Sequence, residues 1–253
     1  MLLAIDIGNT TTSFGIIDSR KVYSIKNIDT DIAKRSYKTK LSKVLNDIEE
    51  RYPLIDDVVI CSVVPEVLSS VKKLISGIFQ KAPKIIGEDI IVPMRNRYRD
   101  PKQVGQDRLV GAYAAKELYG VPVIVIDLGT AITFDIVSKK GEYEGGMIIP
   151  GIRLSAESLF KNTALLPHVD VIEEPEELIG KDTKQSILSG IFFGYGEMCS
   201  GLIKNISKNI KGRPKVIITG GFADLMKKYL SKKVTKVDPD LVFKGLGLLC
   251  GKK

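Results

Sequence analysis

One histidine and three cysteines are all that this chain of 253 residues offers a transition metal. Cys61, Cys199 and Cys250 are far apart, odd in number and without C-x-x-C spacing. That excludes a disulfide framework or zinc-binding knuckle and predicts buried free thiols. His168 has no second histidine with which to share a metal, follows Leu-Leu-Pro in a predicted loop, and is not read as catalytic. No apolar run approaches the roughly 18 residues needed to span a bilayer. No cationic segment precedes an apolar one at the N-terminus, and Asp6 interrupts the opening run. The expectation is therefore no signal peptide, no membrane partner and a cytoplasmic location. The G-x-x-x-x-G-K-[ST] phosphate loop is missing. Also missing are an arginine-rich arm, a zinc finger and an aromatic RNA-binding signature. Net charge is +8, yet the lysines are scattered, as at Lys72-Lys73 and Lys227-Lys228. The densest basic stretch, K-G-R-P-K at 211–215, reads as a solvated loop ahead of a strand. No specific nucleic acid is expected; a basic face of this kind equally attracts a small anionic substrate.

What is present is ordinary in amount and ordered in pattern. Hydrophobic residues make up 44% and charged residues 27%, as in a soluble globular protein. The length fits one large domain or two small ones, and no Ser- or Pro-rich linker divides them. A repeat does. L-L-A-I-D-I-G-N-T at 2–10 resembles V-I-V-I-D-L-G-T-A at 123–131, and Asp6 and Asp127 stand 121 residues apart. Each is followed by a second strand-like run, S-F-G-I-I-D and I-T-F-D-I-V, and by a third, at 22–28 and 142–149. Each half thus begins with a three-stranded antiparallel meander whose first turn carries an aspartate.

Helices and strands then alternate. Leu41, Val44, Leu45 and Ile48 lie at helical spacing within 39–52. Residues 57–64 read as a buried strand, 65–79 as a helix with Pro65 near its start, and 104–118 as a helix that Gly120-Val-Pro122 ends. In the second half, 186–206 is a long helix with glycines at 190, 194, 196 and 201. Glycine inside a helix costs nearly 1 kcal/mol relative to alanine, so close packing against a neighbour is expected there. V-I-I-T-G-G at 216–221 is a strand with a helix after it, and 239–251 a closing helix. Two β-β-β-α-β-α halves predict a duplicated α/β protein.

Two D-x-G turns facing one another across a cleft make a phosphate clamp. Glycine lets the backbone approach, successive N–H groups point at the anion, and Thr and Ser hydroxyls add donors. The aspartates would repel phosphate, so they act through a cation or its waters, and magnesium carried by ATP meets that need. T-G-G at 219–221 leaves backbone space for a flat ligand such as adenine or ribose.

The order D-x-G, D-x-G, G-G resembles the superfamily of acetate and sugar kinases, heat-shock chaperones and actin. That implies duplicated ribonuclease H-like (actin-like ATPase) domains, each a mixed sheet with flanking helices, with a cleft between them and limits at 1–118 and 119–253. A sharper resemblance lies in the middle. R-Y-R-D-P-K-Q-V-G-Q-D-R at 97–108 resembles the Y-x-x-P-x-x-x-G-x-D-R stretch of type III pantothenate kinases. D-L-G-T-A-I-T at 127–133, G-G-M-I-I-P-G at 145–151 and G-K-D-T-K-Q-S-I-L-S-G at 180–190 resemble further motifs of that family, in order.

The resemblance implies an ATP-dependent kinase acting on the hydroxyl of pantothenate, as a homodimer. It implies Asp107 as catalytic base, and Tyr98, Gly105, Gln106, Asp107, Arg108 and Thr183 around pantothenate. It implies Asp6, Ile7, Gly8, Asn9, Thr10, Thr11, Thr12, Ser13 and Thr130 around ATP. Asp127 would ligate a monovalent cation, potassium or ammonium, with Mg2+ arriving on ATP and Asp6 near it. Read from the residues alone, Asp107 is rather a first-turn helix aspartate stabilised by the dipole and Arg108. On the same terms Tyr98 is a half-buried loop aromatic, Thr183 a helix N-cap, Asp127 a strand-end turn, and Gly145, Gly146 and Gly151 turn formers. Two rivals stand beside the main reading: another small-molecule kinase of the superfamily, and a non-catalytic nucleotide-binding regulator like an accessory transcription factor.

Overall fold

The computed structural model describes residues 1–19, 21–31, 35–230 and 234–251, so the last two residues of the expected second domain lie outside them. By contact the chain forms two units. One is Met1–Pro93 with Asp100–Ala114 and Asp240–Lys253; the other is Met94–Arg99 with Ala115–Pro239.

In the first unit, β1 (Leu2–Ile7), β2 (Thr11–Asp18) and β3 (Lys21–Asp29) form the expected antiparallel meander. After α1 (Arg35–Arg51), β4 (Asp57–Ser62) joins parallel to β1. After α2 (Pro65–Phe79), the two-residue β5 (Lys84–Ile85) joins parallel to β4. The sheet order is β3-β2-β1-β4-β5. A 3-10 turn at Pro101–Gln103 leads into α3 (Gln106–Tyr119).

The second unit repeats this plan. β6 (Val123–Leu128), β7 (Ala131–Val137) and β8 (Tyr143–Pro150) form its meander. α4 (Ile152–Asn162) and α5 (Thr183–Asn209) precede β9 (Lys215–Thr219), and α6 (Ala223–Met226) precedes β10 (Lys236–Val237). The order β8-β7-β6-β9-β10 matches that of the first sheet strand for strand. The fifth strand of each sheet escapes sequence reading because two residues show no periodicity. α7 (Leu241–Cys250) closes the chain against the sheet of the first unit.

The central strands are apolar on both faces because both are covered. Leu3, Ile5, Ile7, Phe14, Val58 and Ile60 pack on one side against Leu41, Leu45, Val71 and Ile75 of α1 and α2. Each such burial is worth about 1.5–3 kcal/mol before chain entropy is charged. α7 comes close through small residues: a Cβ on Gly245 would lie 2.7 Å from Val110 Cγ1 and 2.8 Å from the Val110 carbonyl oxygen. Cys61 and Cys199 are buried free thiols, as expected, and Cys250 is a half-buried one. One expectation needs correction. α5 is, by length and composition alone, long and apolar enough to cross a membrane. Ile187, Leu188, Ile191, Phe192, Cys199 and Ile203 instead pack into the core of the second unit, which accounts for its apolar content.

Candidate active site

The first D-x-G turn is built by strand pairing. Asp6 sits one residue before the end of β1, registered with Ser13 on β2 and with Cys61 on β4. The Gly8 N–H donates to the Thr11 carbonyl at 3.0 Å and closes the turn over Asn9 and Thr10. Asn9, Thr10 and Thr11 are exposed, Asp6, Gly8 and Ser13 half-buried, and Ile7 buried. Alternation along β2 sends Thr11 and Ser13 to one face and Thr12 to the other. Thr12 is fully buried, and its hydroxyl lies 2.8 Å from both the Thr30 and the Tyr37 hydroxyls.

The second turn has the same registers. Asp127 lies opposite Thr133 on β7 and Thr219 on β9, and the Gly129 N–H donates to the Ala131 carbonyl at 3.2 Å. Thr130 is exposed at its tip. Two glycines crowd this turn. Gly220, at φ +90°, lies where a side chain would run into the Asp127 carboxylate and the Leu128 backbone. Gly151 donates its N–H to the Thr130 carbonyl at 3.1 Å, and a Cβ there would sit 2.5 Å from the Gly129 carbonyl oxygen. Gly151 therefore does more than shape its own turn: only hydrogen fits against the carbonyls of the second aspartate turn. The groups at this turn are hard oxygens, a carboxylate and backbone carbonyls, which suit a hard cation and not a soft metal. Among the described residues no group of three or more His, Cys, Asp or Glu side chains could hold a metal ion.

G-Q-D-R opens α3. Asp107 lies in the first turn and accepts from the Arg108 N–H at 2.8 Å. Its carboxylate folds back over Gly105, where a Cβ would stand 2.5 Å from Asp107 Oδ1. Burial pushes the Asp107 carboxyl above its ordinary value, while the Arg108 backbone N–H and guanidinium charge pull it down. Gln106 packs its amide against Gly87, a support that sequence reading missed and that only a lone glycine after β5 signals. Asp6 and Asp107 converge on one buried group. The Cys61 thiol is held well above its usual value first by burial, then by the charges of Asp6 and Asp107.

Tyr98 belongs to the second unit. The segment 94–99 runs beside β8: the Arg97 N–H donates to the Tyr143 carbonyl at 2.8 Å, and the Tyr143 N–H to the Arg95 carbonyl at 2.9 Å. The Arg97 guanidinium grips Glu142 at 3.0 and 3.1 Å and holds that carboxyl below its ordinary range. The Tyr98 N–H donates to Asn96 Oδ1 at 2.9 Å, and its ring lies over Gly145, where a Cβ would be 3.5 Å from Cδ2. The tyrosine motif and the glycine-proline motif, separate in sequence, thus meet. Thr183 is the exposed first residue of α5, and Asp182 is the cap, accepting from the Gln185 N–H at 2.8 Å. The cap reading of Thr183 is corrected accordingly: the preceding carboxylate takes that position.

The first unit therefore carries Asp6 to Ser13 and Gly105 to Arg108, and the second carries Tyr98, Asp127, Thr130 and Thr183. A family model described as type III pantothenate kinase matches residues 2–205. The type III pantothenate kinase of Persephonella marina is 43% identical over 232 residues, 91% of each chain. That of Halalkalibacterium halodurans is 37% identical over 251 residues, 98% of each. Among solved structures, a candidate Baf family transcriptional activator from Campylobacter jejuni superposes with a TM-score of 0.59 at 19% identity, covering 98% of this chain and 96% of that one. Component A of (R)-2-hydroxyglutaryl-CoA dehydratase from Acidaminococcus fermentans gives 0.55 at 13% identity, covering 96% and 93%. Likeness at that identity speaks for the fold alone.

Proposed function

The chain belongs to the type III pantothenate kinase family, and from that membership we propose how its own residues divide the work. The enzyme transfers the γ-phosphoryl group of ATP to the hydroxyl of pantothenate, giving 4'-phosphopantothenate, the first step of coenzyme A biosynthesis. Identity of 37–43% along nearly the whole chain carries this reading. It favours catalysis over a nucleotide-binding regulator or another small-molecule kinase.

In this proposal Asp107 receives the proton of the attacking hydroxyl. The oxygen bonds to the γ-phosphorus, the bond to the β-phosphate oxygen breaks, and ADP departs. Phosphoryl transfer passes through a loose transition state, so positioning and charge supply most of the catalysis. A half-buried carboxylate whose pKa is raised, held at a helix start beside Arg108, suits the base. Arg108 offers a fixed cation to the pantothenate carboxylate or the transferring group. Tyr98, Gly105, Gln106 and Thr183 hold pantothenate. Ile7 to Ser13 and Thr130 hold the ATP phosphates, and Asp6 would meet them through the Mg2+ carried by the nucleotide. Thr12, turned into the core, contributes to that set only by its backbone and its packing. Asp127 and the carbonyls beside it would hold potassium or ammonium, which supplies positive charge near the phosphates. The repeat's 118/119 limit is proposed as the edge of the duplicated sequence, whereas packing groups 240–253 with the first unit. A cytoplasmic homodimer is proposed as well. The close packing expected of the α5 glycines is found at Gly196, against Tyr229; among the described residues an added Cβ at Gly190, Gly194 or Gly201 would meet nothing within 4 Å outside its own stretch of helix, which leaves that face open to a second copy. Light scattering and cell fractionation check the two.

The decisive experiment is Asp107→Asn, which keeps shape and removes the base. The expected loss in kcat is roughly 10²–10⁴-fold, with ATP binding and the melting transition retained. A variant within about threefold of wild type would remove Asp107 from the mechanism.

A further inference from the structure

We propose that Thr12, Thr30 and Tyr37 form a buried hydroxyl clamp that positions the first phosphate turn for ATP. The proposal rests on the reading that residues 6–13 hold the phosphates. Thr12 is on β2, immediately behind the turn; Thr30 follows β3; Tyr37 lies in the first turns of α1. All three side chains are buried. The Thr12 hydroxyl sits 2.8 Å from each of the other two. The Thr30 N–H also donates to the Thr10 carbonyl at 2.8 Å, so the cluster is tied to the turn's own backbone. Burial holds the Tyr37 hydroxyl above its ordinary pKa, and it stays a protonated donor at neutral pH.

The duplication supplies an internal control. Ile7 pairs with Thr12 in the first unit as Leu128 pairs with Ile132 in the second. Ile132 is fully buried in an apolar core. The fold thus accepts a plain hydrocarbon at this position, and the hydroxyl is not needed to build the hairpin. Buried hydroxyls cost stability unless each finds a partner, and a satisfied set of them fixes one geometry where apolar packing tolerates several. A phosphate site made of backbone N–H groups depends on such a fixed geometry, since small misplacement of donors weakens every contact at once. Thr12, Thr30 and Tyr37 are accordingly positioning residues that act through the turn.

The test is steady-state kinetics on the full chain with Tyr37→Phe, Thr30→Val, Thr30→Ser and Asp6→Asn. Tyr37→Phe and Thr30→Val each raise the KM for ATP about three- to tenfold, the equivalent of one net hydrogen bond. kcat and the KM for pantothenate stay within about twofold, and Thr30→Ser, which keeps the hydroxyl, restores the KM for ATP. The double variant Tyr37→Phe/Thr30→Val is less than additive, because one clamp is lost once. An unchanged KM for ATP in folded Tyr37→Phe and Thr30→Val overturns the clamp. So does an equal rise in both KM values with a lowered melting temperature, the mark of a general packing defect. If Tyr37→Phe does not fold, Thr30→Val decides; if neither folds, the cluster is a folding element and the proposal fails. Asp6→Asn separates the two readings: an unchanged KM for ATP there removes the phosphate turn itself, whereas a raised one beside a silent Tyr37→Phe removes only the clamp.

Discussion

Burial raises the Asp107 carboxyl while Arg108 draws it back, and that balance has a measurable sign. In the proposed mechanism the base works ionised, so kcat/KM falls as pH drops through its folded pKa, which burial raises above the group's ordinary value. Arg108→Gln removes the opposing charge and moves this acid limb to higher pH; an unmoved limb would show that Arg108 does not act on Asp107. Stability runs the other way. With the folded pKa above the unfolded one, ionising Asp107 costs stability at neutral pH, and the cost fades as pH falls through the folded pKa towards the unfolded one. Asp107→Asn should therefore melt no lower than wild type at pH 7, the difference closing in acid. Asp127 carries its own prediction. On the proposal that Asp127 holds potassium or ammonium, activity rises strongly when either ion replaces sodium at matched ionic strength. Equal rates in the three salts would deny Asp127 that role. Asp6, Asp127 and Asp107 were legible because each stands in a short motif at a strand or helix end. Thr12 was legible only as a hydroxyl in a run, since which face of β2 it takes is set by register.

Elements read well wherever their apolar period was long. α1, α2, α3 and both meanders fall within a few residues of expectation, because Leu41, Val44, Leu45 and Ile48, or the alternation behind Asp6, state the period directly. β5 and β10, two residues each, do not. α4 was not expected either: its buried contribution is only Ile152 and Ala156, too few to mark a helix in sequence. The closing helix was expected, but its seat was not, because its glycines record only that something approaches closely. Gly245→Ala should cost about 1–3 kcal/mol in urea unfolding, as an overpacked contact with Val110. Gly77→Ala in α2, with nothing within 4 Å, should instead stabilise by roughly 0.5–1 kcal/mol. A neutral Gly245→Ala would mean that α7 is not packed as described.

Across the whole molecule the surplus of positive charge, +8, is spread through many helices. Dispersed lysines make weak contacts with a polyanion and hold them only at low salt. Binding to duplex DNA should be non-specific and should collapse between about 50 and 200 mM salt, as counterion release from several phosphate contacts requires. A gel shift that is selective for sequence and survives salt would revive a regulatory role.

The sequence alone determined the duplication, the two aspartate turns, the family resemblance and most of the elements. Those features are local, carried by period and by short motifs whose residues stand next to one another. Tertiary structure alone decided what the motifs rest on. It set the Tyr98 ring over Gly145, Gln106 against Gly87, Gly151 on the carbonyls of Gly129 and Thr130, and the charges of Asp6 and Asp107 on Cys61. It also turned Thr12 from a surface donor into the centre of a buried hydroxyl cluster. Such contacts join residues tens of positions apart, and a side chain's face, neighbours and charge environment exist only once the strands have chosen their register.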